Sequence, residues 1–177
     1  ITVPLYDRIG RLRSQQILAA GMLRPAHLLD LMRNFSVFQQ ADGKTRKVVA
    51  RYQQFRAVHE AVKRLRENPT RLKSATGRDE RGGIIWHTQG SGKSILMVLI
   101  AKWLLEHDPE ARILVITDRD ELDKQISGVM RNAGVIGNDS PSPRITSRAD
   151  LVQKLSAAAP RLLCALLHKF EPDLSVP

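Results

Sequence analysis

Ile84-Ile85-Trp86-His87-Thr88-Gln89-Gly90-Ser91-Gly92-Lys93-Ser94 is the most informative run in the chain. Its apolar start predicts a short strand over 83–86, its glycines a tight turn, and the apolar run behind Lys93 a helix over 93–107. A glycine turn leading from a strand into a helix N-terminus is built to hold phosphate. Backbone N–H groups converge there with the positive end of the helix dipole, and residues without a Cβ let an anion come close. Lys93 then stands where an ammonium reaches the β- and γ-phosphates, and Ser94 where a hydroxyl ligates Mg²⁺. Nucleotide binding is therefore assigned to Thr88, Gln89, Gly90, Ser91, Gly92, Lys93 and Ser94, with Lys93 as the catalytic cation and ATP and Mg²⁺ as cofactors. The strict P-loop pattern has Gly where this chain has His87, which reads as a turn or packing residue rather than a general base. The plain alternative is a glycine-rich turn followed by an accidental Lys-Ser.

The flanking sequence supplies a fold for this turn. Downstream, an apolar strand over 112–117, a helix over 119–132, a loop over 134–143, a helix over 147–157 and a strand over 161–167 follow in order. Strands alternating with helices of this length predict an α/β fold, with a parallel sheet covered by helices on both faces. Residues at the carboxyl end of such a strand face the ligand crevice, which singles out Thr117, Asp118 and Arg119. For Asp118 or Asp120 taken alone, a helix-capping role fits as well as one at the crevice. Upstream, an amphipathic helix over 6–19 ends near Gly21, and a second starts at Pro25 and runs through Asn34. A turn at 41–44, a strand over 47–50, a helix over 52–67 and a polar, basic loop over 68–83 complete the pattern.

Composition sets the outer bounds. Of 177 residues, 42% are apolar and 26% charged, ordinary usage for a folded globular chain. The 28 Lys and Arg against 18 Asp and Glu leave a formal charge of +10, which suits a polyanionic partner without choosing among them. Between Lys44 and Arg81, twelve of those cations face four acids. They fit either DNA phosphates or the polar faces of helix and linker. Cys164 is the single cysteine, so no intramolecular disulfide forms, and its apolar setting marks a small buried hydrophobe. No run approaches the roughly 20 apolar residues of a membrane span. A reducing, cytoplasmic home fits, and the chain opens at Ile1 without an initiator Met, as a fragment would.

Beyond the turn itself, the Gly-Ser-Gly-Lys-Ser string resembles motif I of superfamily 2 helicases and translocases. Arg51-Tyr52-Gln53-Gln54-Phe55 resembles their Q motif and Thr117-Asp118-Arg119 their motif Ia. Within that superfamily the chain resembles the R (motor and restriction) subunit of type I restriction-modification enzymes. Leu23-Arg24-Pro25, Leu28 to Phe35, Lys47 to Phe55, His87 to Ser94, Val115 to Arg119 and His168-Lys169-Phe170 carry the likeness. The resemblance implies ATP-driven translocation of double-stranded DNA coupled to its cleavage, in a bacterial or archaeal cytoplasmic complex with modification and specificity subunits. It also implies that Gln54, whose amide offers a donor and an acceptor together, reads adenine, and that Thr117, Asp118 and Arg119 contact DNA. Residues 1–45 are then a helical linker closing a preceding region. Residues 46–177 are the N-terminal portion of the first RecA-like lobe, ending before the Walker B motif, so that the fragment alone turns over nucleotide poorly or not at all. Two features depart from the family: Ala165 and Leu166 stand where a Thr pair is usual, with His168 in place of Gln, and no Asp-Glu-Ala-His-type motif is present. The competing classes are another P-loop enzyme, such as a nucleotide kinase or GTPase, and a non-catalytic basic module that binds nucleic acid.

Overall fold

A computed structural model describes residues 14–41, 43–118, 120–132, 134–136 and 142–170. These described residues fall into two units, one within the ranges 1–36 and 48–89, the other within 37–47 and 90–177.

In the first unit, helices α1 (Ser14–Met22), α2 (Pro25–Asn34) and α3 (Tyr52–Glu67) follow the apolar periodicity of the sequence. Pro25 sits in the first turn of α2, where its missing N–H costs nothing. Phe55, Val58 and Val62, at helical spacing on α3, are buried together with Leu31 and Phe35. The Phe35 and Phe55 rings lie 4.7 Å apart. Asp30 fastens α2 to α3: its carboxylate meets His59 Nε2 at 2.8 Å and accepts from Asn34 Nδ2 at 2.6 Å. Gly21 does not end α1, which runs to Met22. A Cβ at Gly21 would come within 2.7 Å of the Tyr52 ring, so the glycine permits close packing of α1 on α3. The start of the helix expected over 6–19 lies outside the described residues.

Strands β1 (Ser36–Ala41) and β2 (Lys44–Val49) pair as a hairpin. Only β2 was expected, and it begins earlier than 47. Gly43 turns the chain at φ 68°, a left-handed conformation that suits glycine.

The second unit contains α4 (Lys93–His107), β3 (Ile113–Thr117), α5 (Asp120–Asn132), α6 (Arg148–Ser156), β4 (Leu162–Leu166) and a 3₁₀ turn (Leu167–Phe170). As expected, β3 and β4 are parallel, in register from Ile113 opposite Leu162 to Thr117 opposite Leu166. All five residues of β4 are buried, which is why Leu-Leu-Cys-Ala-Leu is unbroken by polar residues. Leu114, Leu163 and Ala165 pack with Ile145 and with Leu151 of α6, while α5 contacts both strands. Ser147 caps α6 by accepting from the Asp150 N–H at 3.1 Å. The Asp150 carboxylate returns to the N–H of Thr146, at 2.8 Å.

Two arginines anchor the helices to the strands. Arg161, just before β4, donates to the carbonyls of Leu105, Asp108 and Ala111, spanning the end of α4 and the approach to β3. Arg112, just before β3, donates to the carbonyls of Lys154 and Leu155 near the end of α6, each at 2.9 Å. Cations at helix C-termini satisfy otherwise unpaired carbonyls and oppose the negative end of the dipole.

The strand expected over 83–86 is not formed. Residues 82–88 have no regular structure, and Ile84 and Trp86 are 91% and 90% exposed. A strand is held by its hydrogen-bonded ladder, and no described strand pairs with this segment, so its apolar composition alone does not make one. Among the described residues, no helix is long and apolar enough to cross a membrane.

Candidate functional site

The glycine turn and the helix behind it form as the sequence predicts. Gly90 has φ 75° and Gly92 φ 82°, ψ 44°, both in the left-handed region that residues with a Cβ rarely adopt. α4 starts at Lys93, and its first helical bond runs from the Leu96 N–H to the Gly92 carbonyl at 3.0 Å. No side chain caps this N-terminus and no acid lies in its first turn, so the positive end of the dipole meets no competing carboxylate from its own helix. Burial of Leu96, Val98, Leu99 and Ala101 holds the helix in place behind it. Lys93 is exposed and Ser94 half-buried.

This cradle fits a triphosphate: left-handed glycines, a helix whose first turn carries no acid, an ammonium and a hydroxyl are consecutive in the chain. It fits Mg²⁺ only in company with nucleotide, since the described residues contain no cluster of three His, Cys, Asp or Glu able to hold a metal. Ser94 would supply one oxygen and the phosphates others. Gly90, Ser91, Gly92, Lys93 and Ser94 belong to the second unit, whereas Thr88 and Gln89, both exposed, and half-buried His87 belong to the first.

Gln54 also belongs to the first unit. It is buried, 4% exposed, and occupies the third position of α3. Its side-chain oxygen accepts from the Arg51 N–H at 2.9 Å, the Gln half of a capping box. Gln53, beside it, is exposed.

At the carboxyl end of β3, Thr117 is 7% exposed, and its hydroxyl is the one buried side-chain polar atom without a partner among the described residues. Leaving a buried hydroxyl without a partner costs about 1–3 kcal/mol. Asp118 is exposed, and Arg119 lies outside the described residues. The Asp120 carboxylate, read as a helix cap, accepts from the Arg144 guanidinium at 2.7 Å.

Sequence reasoning missed Arg161 and Arg112, the two supports of α4 and α6. An Arg directly before an apolar strand was their only signal, and nothing local told which carbonyls they would reach. It also missed the Asp30–His59 link, whose partners stand 29 positions apart.

The SWI2/SNF2 ATPase family matches residues 53–176. A type I restriction enzyme HindI endonuclease subunit from Haemophilus influenzae is 43% identical over 115 residues, 63% of this chain and 10% of that protein. A putative type I restriction enzyme MjaIXP endonuclease subunit from Methanocaldococcus jannaschii is 31% identical over 159 residues, 89% of this chain and 14% of its own length. A type I restriction enzyme endonuclease subunit from Staphylococcus aureus is 26% identical over 116 residues, 66% of this chain and 11% of that subunit. The chain thus spans about a tenth of the length of the curated relatives it matches.

Proposed function

The chain belongs to the SWI2/SNF2 ATPase family, and from that premise we propose that it is the ATP-binding part of the DNA-translocating motor of a type I restriction endonuclease R subunit. The observation that carries this is the cradle at the start of α4, where Gly90 and Gly92 are left-handed and Lys93 and Ser94 follow at once. The N–H groups of this turn would hold the phosphates, the Lys93 ammonium would neutralise charge developing on the γ-phosphoryl, and Ser94 would ligate Mg²⁺. Thr88 and Gln89 would complete the binding loop, and Gln54 would select adenine. Mg²⁺ held there by Ser94 and the nucleotide would supply neutralisation of phosphate charge.

In this reading residues 46–177 contribute to a RecA-like lobe and residues 1–45 link it to a preceding region. The Thr117 hydroxyl, with Asp118 and Arg119, engages the DNA backbone at the carboxyl end of β3. Double-stranded DNA is the track, modification and specificity subunits are the partners, and the cytoplasm is the compartment. The restriction-subunit relatives named above support this assignment over a nucleotide kinase or GTPase.

The test is Lys93→Ala in the assembled enzyme. ATP-driven translocation should be lost, with assembly onto partner subunits intact. Unchanged ATP turnover, or a preference for GTP over ATP, would remove the proposal.

A further inference from the structure

We propose that the loop over residues 68–83 is a preformed docking surface for the phosphate backbone of duplex DNA, with Arg71, Lys73 and Arg78 as its contacting cations. The proposal rests on the reading that this chain works on DNA, and adds a contact surface apart from the end of β3.

The loop is closed and internally bonded. At its neck, Asn68 Nδ2 donates to the Glu80 carbonyl at 2.9 Å and the Glu80 N–H to the Pro69 carbonyl at 3.3 Å. Within it, the N–H groups of Lys73 and Ser74 both reach the Thr70 carbonyl at 2.9 Å. Arg64 of α3 donates through Nε to the Gly82 carbonyl, tying the far end back to the helix.

Both carboxylates of the loop are consumed internally. Asp79 takes the Arg81 N–H at 2.9 Å and the Arg81 guanidinium at 3.1 and 2.7 Å. Glu80 accepts the Ser74 hydroxyl at 2.6 Å and the Thr76 hydroxyl at 3.0 Å. Those bonds hold both acids below the usual carboxylate range, so they stay ionised and engaged. Arg71, Lys73 and Arg78 are left exposed, and none is paired with a carboxylate among the described residues. Four cations against two acids leave the loop at +2.

A loop closed by its own hydrogen bonds, with its acids engaged internally, leaves its exposed cations to meet a regular array of phosphates. Duplex DNA presents such an array.

The experiment measures binding of the full chain to a short duplex DNA over a series of salt concentrations, without ATP. In Arg71→Gln/Lys73→Gln/Arg78→Gln, the slope of log affinity against log salt should become shallower by about 2 to 3, near 0.9 per lost phosphate contact. Lys44→Gln/Arg46→Gln/Lys47→Gln removes equal charge from the exposed hairpin and should change the slope by less. Thermal melts check that both variants fold. A wild-type slope in the loop variant, an equal change in the hairpin variant, or loop-dependent binding to anionic vesicles in place of DNA overturns the proposal. Nucleotide binding, followed in parallel, separates the two ideas: failure to bind ATP with the loop effect intact would remove the motor reading and leave the DNA surface standing.

Discussion

The Arg51 N–H donates to the Gln54 side-chain oxygen at 2.9 Å, so the start of α3 fixes this carboxamide instead of leaving it to rotate in solvent. Gln54→Glu keeps an oxygen for the Arg51 N–H, and a carboxylate suits the first turn of a helix. The melting temperature should therefore hold or rise slightly. Losing the amide donor should weaken ATP binding about tenfold, one hydrogen bond's worth, and leave GTP binding unchanged. Fluorescence titration with both nucleotides decides it, and unaltered ATP affinity would confine Gln54 to its capping role.

Thr117 gives an opposite trade between stability and work. Thr117→Val removes the orphaned buried hydroxyl while keeping a β-branched side chain in β3. Stability should rise by about 1 kcal/mol, or roughly 2–4 °C in melting temperature. In the assembled enzyme, DNA stimulation of ATP turnover should fall if that hydroxyl meets a phosphate. A less stable variant with full DNA stimulation would show that the hydroxyl serves the fold.

Asp150 links the second unit to pH. The Thr146 N–H, with the Lys154 ammonium and Thr146 hydroxyl adding to it, holds the Asp150 carboxyl below its usual value of 3.8. A carboxyl held low in the folded state contributes its full stability above 3.8 and loses it as the pH falls through the folded value. Asp150→Asn should cost about 1 kcal/mol at neutral pH through weakened bonds. The difference from wild type should shrink in acid. Melting curves from pH 7 down to 2 check this, and a difference that does not narrow would contradict it.

Much of the second unit was legible because its signals are local. Lys93 to His107 reads as one helix because its apolar run is long and follows left-handed glycines, and Leu162 to Leu166 reads as a buried strand because both its faces are covered. The same rule misled at Ile84 to Trp86, where an equally apolar run has no ladder and lies in the open. β1 was missed because Ser-Val-Phe-Gln-Gln-Ala is weakly patterned and gains its regularity from pairing with β2. Of the site, the glycine turn could be read from residue type, since left-handed φ angles demand glycine. The commitment of the Gln54 oxygen to Arg51 and the isolation of the Thr117 hydroxyl depend on geometry that composition does not encode.

Thermal protection by Mg²⁺-ATP, compared between wild type and Lys93→Ala, bears most directly on the cradle at Gly90 to Ser94. At about 100 times the dissociation constant, bound nucleotide should stabilise the wild-type chain by about 2.7 kcal/mol, read as a rise of several degrees in melting temperature. Lys93→Ala should melt like wild type without nucleotide and gain little with it. Equal protection of both proteins, or of neither, would contradict a phosphate-binding role for Lys93.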